Sequence, residues 1–197
     1  MRALLTGGAS CGKSAVAEDL CMELGGSLVY LAAMRPFGEE GAARVRKHRA
    51  QRAGKGFQTV ECYEDFKLVL EDDRIDGATV LLECLGNVVA NELFSAEGDA
   101  ADVHDARALA AHIASLLDAL SQRCAHLIVV GNEVGDDGAE YPAETACYQD
   151  VLGTVSRMWA DRCDFVAECV AGVPAVVKLA LQDEREKTVV EGIGQAS

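Results

Sequence analysis

Residues 7–14 read GGASCGKS, a G-x-x-x-x-G-K-S pattern carried by Gly7, Gly12, Lys13 and Ser14. That order suits one task, the holding of a phosphate chain. The glycines let the backbone curl so that its N–H groups converge on phosphate oxygens. A helix opening at Lys13 adds its positive N-terminal end. Lys13 then reaches the β- and γ-phosphates, and the Ser14 hydroxyl can ligate Mg²⁺. Both flanks agree with this reading rather than with a chance Gly-rich turn. RALLT before the motif reads as a strand, and SAVAEDLCMEL after it as a helix.

Such a loop needs a carboxylate for the metal or its waters, commonly from the end of another buried strand. Glu83 in VLLECL and Glu133 in LIVVGNEVG both stand in that place. The alternative is a solvated loop acid. An acid closing so apolar a strand as the one before Glu83 is costly unless paired, which favours a role.

A second chemical segment follows. Arg35, Arg44, Arg46, Lys47, Arg49, Arg52 and Lys55 are seven of the 18 Lys and Arg residues, in a chain of net charge −14. If Gly38 to Arg52 is helical, Arg44, His48 and Arg52 fall on one face at four-residue steps. So many cations repel one another unless an anion compensates them, and a nucleotide triphosphate would. The cations disfavour a protonated His48. A neutral imidazole flanked by guanidiniums can attack a phosphorus centre whose charge they neutralise. Spacing alone favours a surface histidine on a solvated basic helix. His104, His112 and His126 lack such a setting.

The elements that must position these groups alternate. Strands are expected at Ala3 to Thr6, Ser27 to Ala32, Phe57 to Glu61, Thr79 to Cys84, His126 to Val130, Phe165 to Val170 and Ala175 to Lys178. Helices are expected at Lys13 to Leu24, Gly38 to Arg52, Tyr63 to Leu70, Asn87 to Leu93, a long stretch from Ala106 to Leu120, and Ala143 to Arg162. Ser95 to Val103 reads as an acidic loop, Gly135 to Pro142 as a loop, Gly172-Val173-Pro174 as a turn, and residues from about Gln182 as a frayed polar end. Continuous apolar strands between helices imply a mostly parallel sheet covered on both faces. One α/β domain over residues 1–178, followed by a polar tail over 179–197, accommodates this pattern.

Composition narrows the partners. Half of the 197 residues are hydrophobic and 25% are charged, which excludes a disordered or fibrous chain. The acidic body repels DNA and anionic membranes, so neither is an expected partner. No apolar run approaches the roughly 18 residues that cross a bilayer, and Met1 to Thr6 lacks a signal peptide's features, so a cytoplasmic protein is expected. The eight cysteines form no CxxC pair and no zinc spacing with histidine, so reduced core thiols are expected.

Several segments together resemble the adenosylcobinamide kinase/adenosylcobinamide-phosphate guanylyltransferase family of cobalamin biosynthesis. They are LLTGGASCGKS, LVYLAAM, R-V-x-x-H-R-x-x-R at Arg44 to Arg52, TVE at Thr59 to Glu61, LLECLGNVVANELF, NEVG and GVPAVVK, spanning roughly residues 1–178. The resemblance implies a RecA-like P-loop α/β domain, ATP, GTP and Mg²⁺ as ligands, a corrinoid substrate and a trimeric assembly. It implies that adenosylcobinamide is phosphorylated, and that GMP from GTP then passes to the phosphate through a GMP-histidine at His48. Lys13 would act in catalysis, and Ser14 and Glu83 at the metal. Gly7, Gly8, Ala9, Ser10, Cys11, Gly12, Lys13 and Ser14 would hold the triphosphate. Ala32, Ala33, Met34, Arg49, Ala50, Gln51, Arg52, Glu61 and Glu83 match nucleotide-contacting positions. Departures exist: Ser10-Cys11 stands where the family usually has Arg-Ser, DDGAEYP follows NEVG in place of Gly-Ile-Val-Pro, and expected arginines are missing near Ala146 and Gln149. The alternatives are a P-loop kinase of another small alcohol or nucleoside, and a non-catalytic GTP-binding regulator.

Overall fold

Apolar residues alternate along each strand between two faces, and each face meets its own helices. A computed structural model describes residues 1–36, 38–94, 106–133 and 141–193, with the backbone alone at 40, 42, 44, 47, 48 and 51. In chain order the elements are β1 (Arg2–Thr6), α1 (Lys13–Leu24), β2 (Leu28–Ala32), α2 (Gly38–Arg52), β3 (Gln58–Glu61), β4 (Thr79–Glu83), α3 (Leu85–Leu93), α4 (Ala106–Arg123), β5 (His126–Val130), α5 (Ala143–Arg162), β6 (Phe165–Val170), β7 (Val173–Leu179) and α6 (Glu184–Ile193).

The seven strands form one sheet in the order β3-β2-β4-β5-β1-β6-β7. All neighbours run parallel except β6 and β7, which form an antiparallel hairpin. Leu4, Val29, Leu31, Val80, Leu82 and Val129 pack on one face against α3, α4 and α5, with Trp159 fully buried among them. Ala3, Leu5, Tyr30, Leu81, Ile128 and Val130 pack on the other face against Val16, Leu20 and Leu24 of α1. Each Val, Leu or Ile side chain among them contributes roughly 1.5–3 kcal/mol on burial. The doubly covered, mostly parallel sheet is the α/β architecture that the apolar runs predict. Among the described residues no helix is long and apolar enough to cross a membrane. All eight cysteines are free, and six are buried. Burial pushes the Cys62 and Cys163 thiols up to about 12 and those of Cys124 and Cys169 to about 11, so they stay protonated near neutrality.

Three expectations are corrected. The segment predicted as a helix over Tyr63 to Leu70 forms two 3-10 turns, Phe66–Glu71 and Asp73–Ile75. Asp65 and Asp72 accept from the backbone N–H groups of Lys67 and Arg74, at 2.9 and 3.0 Å, and divide the segment into short capped pieces. The hairpin reverses at Ala171 and Gly172, both at positive φ, one step before the expected turn. Pro174 lies inside β7, which it can do because β7 is an edge strand. The chain end predicted to fray forms α6. Asp183 accepts from the N–H groups of Arg185 and Glu186, at 2.8 and 3.1 Å, and Val190 is buried beside α1. The acidic loop at Ser95 to Val103, residues 135–140 and His104 lie outside the described residues.

Candidate active site

The parallel strands end together. Ala32 is in register with Glu83 and with Glu61, and Glu83 with Val130. Loops leaving these carboxyl ends surround a cleft of about 910 Å³, where ligands of open α/β sheets usually bind.

One wall is the loop between β1 and α1. Gly7 has φ 138° and Gly12 φ 96°, backbone states that a side chain strongly disfavours. Space forbids a side chain as well. A Cβ on Gly7 would lie 2.6 Å from the Cys169 carbonyl oxygen, and one on Gly12 would lie 2.9 Å from the Gly172 Cα. The β6–β7 turn thus backs the loop. Lys13 is buried, and its Nζ donates to the Gly8 carbonyl at 2.8 Å, so the ammonium folds back over the loop it is meant to serve.

The floor is built on Glu83, at the last position of β4. The Ser14 hydroxyl donates to its Oε1, and the Tyr30 hydroxyl donates to its Oε2 at 2.9 Å. The carboxylate that the apolar strand would otherwise leave costly is thereby paired. Burial first, then the Glu83 charge, pushes the Tyr30 phenol well above its ordinary value, so it stays protonated and donates. Beside it, Cys84 accepts from the amides of Asn87 and Asn132, both at 3.2 Å. Burial raises the Cys84 thiol too, so it is a structural thiol rather than a nucleophile.

The opposite wall comes from α2 and the turn after it. The Arg52 guanidinium lies 3.3 Å from the centroid of the Tyr30 ring. Arg52 is buried, and its Nη1 has no hydrogen-bond partner among the described residues. Arg49 pairs with Glu61 at 2.6 Å, and Lys55 pairs with Glu18 of α1 at 2.6 Å. An acidic protein therefore gathers three cations of one segment at the mouth of its phosphate loop, and one of them keeps an unspent donor.

The expected residues fall into three groups. Ala9, Ser10, Cys11, Gly12, Lys13, Ser14, Ala32, Met34, Arg49, Arg52 and Glu83 line the cleft. Gly7 and Gly8 shape the loop behind it, Ala33 is buried with its N–H on the Glu83 carbonyl at 3.2 Å, and Ala50 and Glu61 are exposed. His48 and Gln51 belong to α2, and their side chains lie outside the described residues. Glu133 lines the cleft, with its N–H on the Gly7 carbonyl at 3.4 Å. Sequence reading did not single out Tyr30, Glu18, Asn87 or Asn132 for the site. Two of them left a signal: Tyr30 puts a hydroxyl near the end of an apolar strand, and Glu18 stands one helical turn after Ser14 on an otherwise apolar face.

The donors suit magnesium. It prefers hard oxygens and takes one or two protein ligands beside substrate phosphates. A serine hydroxyl hydrogen-bonded to a carboxylate next to a phosphate loop is such a set. Among the described residues no cluster of three or more His, Cys, Asp or Glu offers a rival all-protein cage.

Comparison with known proteins extends the geometry. The family model described as cobinamide kinase / cobinamide phosphate guanyltransferase matches residues 3–177. The bifunctional adenosylcobalamin biosynthesis protein CobU of Escherichia coli (strain K12) is 33% identical over 184 residues, covering 90% of this chain and 100% of its own. The bifunctional adenosylcobalamin biosynthesis protein CobP of Pseudomonas aeruginosa is 30% identical over 178 residues, covering 90% and 98%. Among solved structures, a prototypical ATPase from the type III secretion system of pathogenic bacteria has a TM-score of 0.52 at 14% identity, covering 96% of this chain and 61% of that chain. That likeness concerns the fold, an α/β P-loop domain. The family match is more specific, because residues 3–177 span β1, the loop, α2, β4 and β5, whose residues and loops enclose the cleft, and the chain belongs to the cobinamide kinase/cobinamide phosphate guanyltransferase family.

Proposed function

We propose that this protein phosphorylates adenosylcobinamide with ATP or GTP, and then transfers GMP from GTP to adenosylcobinamide phosphate through a GMP-histidine at His48. What supports the reading is that Lys13, the Ser14–Glu83 pair and the Arg52 side chain line one cleft. The triphosphate lies along residues 7–14, with Lys13 exchanging its Gly8 carbonyl for phosphate oxygens. Ser14 and Glu83 would hold Mg²⁺, which would supply charge neutralisation to the phosphates.

In the first reaction the substrate hydroxyl oxygen attacks the γ-phosphorus. The bond to the bridging oxygen breaks, the hydroxyl proton is lost, and the nucleoside diphosphate leaves. In the second, a ring nitrogen of His48 attacks the α-phosphorus of GTP and pyrophosphate leaves. A phosphate oxygen of the cobinamide then displaces the imidazole and takes the GMP. His48 stands four residues before Arg52 on α2, so the helix that carries it is the one whose end reaches the cleft. Arg49 and Arg52 neutralise phosphate charge as the transition state forms. A cytoplasmic location and a trimeric assembly belong to the same reading.

The test is incubation with α-labelled GTP and Mg²⁺, followed by denaturation. An acid-labile, alkali-stable label is expected on the protein. It should vanish in His48→Ala, while phosphoryl transfer to cobinamide persists. Intact GTP binding with no adduct would instead indicate a plain kinase or a sensor.

A further inference from the structure

Tyr30 stands where an apolar residue would pack as well. It is buried on the α1 face of the sheet, two residues before the end of β2 and opposite Leu81 of β4. A buried phenol needs a partner for its hydroxyl. Here both ends of the side chain are engaged in the cleft: the hydroxyl donates to Glu83 at 2.9 Å, and the ring lies 3.3 Å from the Arg52 guanidinium. Glu83 also accepts from Ser14, so its two oxygens are fixed from two elements, α1 and β2. Arg52 is buried, and among the described residues its Nη1 is left without a partner. The two contacts reinforce each other. Donation to a carboxylate enriches the phenol's π-system, and an electron-rich face holds a guanidinium more tightly.

We propose that Tyr30 is a positioning residue for both halves of the site, orienting the Glu83 carboxylate toward the metal through its hydroxyl and seating the Arg52 guanidinium for the nucleotide phosphates through its ring. Arg52 needs the ring because a desolvated guanidinium with an unspent donor has few other supports. Glu83 uses the hydroxyl because it holds Oε2, the oxygen opposite the one that Ser14 reaches, and so fixes the plane of the carboxylate. The inference rests on the nucleotide reading above, and it assigns the two functions to separate parts of one side chain.

Tyr30→Phe keeps the ring and removes the hydroxyl, Tyr30→Leu removes both, and Arg52→Lys replaces the stacked guanidinium and its forked donors by an ammonium while leaving Tyr30 and Glu83 intact. Two binding measurements separate them, using the unreactive α,β-methylene analogue of GTP. Mn²⁺ affinity of the complex is read by electron paramagnetic resonance, and metal-free nucleotide affinity by calorimetry in EDTA. Tyr30→Phe should weaken Mn²⁺ about tenfold, as loss of an outer-shell partner does, and leave metal-free affinity within about twofold. Arg52→Lys should do the reverse, weakening metal-free binding about tenfold. Tyr30→Leu should show both losses, and if it melts too low to assay, the other two variants carry the test. Unchanged Mn²⁺ affinity in a folded Tyr30→Phe overturns the positioning of Glu83. Unchanged metal-free affinity in Arg52→Lys overturns the seating of Arg52. No binding of Mn²⁺ and nucleotide by the unsubstituted protein overturns the nucleotide reading itself, and this inference with it.

Discussion

The phosphate loop and the basic helix α2 face each other across one cleft, and they are held there by different forces. The loop is fixed by its backbone: it leaves a buried strand, turns at glycines that admit no Cβ, and rests on the β6–β7 turn. Helix α2 and the turn after it are held by side-chain contacts, Arg49 to Glu61, Arg52 over Tyr30 and Lys55 to Glu18. Arg49 is 57% exposed, whereas Lys13 is 6% exposed. A wall built from backbone sterics keeps its shape when empty. A wall built from ion pairs responds to charge, and it is the natural place for groups that must reorganise when a polyanion arrives. Substitutions on the two walls should therefore fail in different ways.

The largest effect is expected for Lys13→Ala. On the proposed function Lys13 brings a buried charge to the point where the transferred phosphoryl group gains charge, and losing one such stabiliser costs about 10²–10³-fold in turnover. Stability should change little, because the ammonium's partners are both within its own loop, the Gly8 carbonyl at 2.8 Å and the Cys11 sulfur at 4.0 Å. Steady-state kinase assays beside a thermal melt check both halves. Full activity in this variant would mean that the loop is not the phosphate site.

Gly7→Ala should show the opposite signature, breaking the wall rather than its chemistry. The new methyl would sit 2.6 Å from the Cys169 carbonyl oxygen, on a backbone at φ 138°. Neither the strand nor the turn behind it can move cheaply, so a loss of about 2–4 kcal/mol is expected. Chemical denaturation measures it. A variant as stable as the parent would show that the loop is more yielding than its contacts imply.

How much of this was readable beforehand differs between the two walls. The loop was legible almost residue by residue, since Gly7, Gly12, Lys13 and Ser14 are dictated by local backbone chemistry within eight positions. Strands and helices followed from apolar periodicity, because the two-sided burial of a parallel sheet leaves continuous apolar runs. Glu83 was legible as an anomaly, an acid at the end of such a run. The pairs that tether the basic segment were not, because sequence shows a cation without showing which acid it meets. Glu18 and Lys55 are 37 residues apart, and Tyr30 and Glu83 are 53 apart. Only strand order brings them together. The frayed end failed for a different reason. Asp183 and Glu186 stand at capping-box spacing, which marks a helix start inside a run that composition alone reads as a polar end.

The Lys55–Glu18 pair gives the sharpest remaining test, because its two partners are unequally placed. Glu18 is 3% exposed on its side chain and Lys55 is 30% exposed. Removing the lysine, as in Lys55→Met, strands a carboxylate inside α1 with no charge partner. Removing the charge of the acid, as in Glu18→Gln, leaves an ammonium that can turn toward water while the amide keeps a polar contact. The same ion pair should therefore cost unequally when cut from its two sides, about 2 kcal/mol for Lys55→Met and about 1 kcal/mol or less for Glu18→Gln. Denaturant midpoints of the two single variants and the double variant measure the difference and the coupling. The double variant should recover part of the Lys55→Met loss, since it no longer buries an unpaired charge. Equal costs from both sides would mean that Glu18 is better solvated than its burial indicates. In that case the tether of the basic segment to α1 is a surface pair, and the contrast between the two walls weakens to a difference in exposure alone.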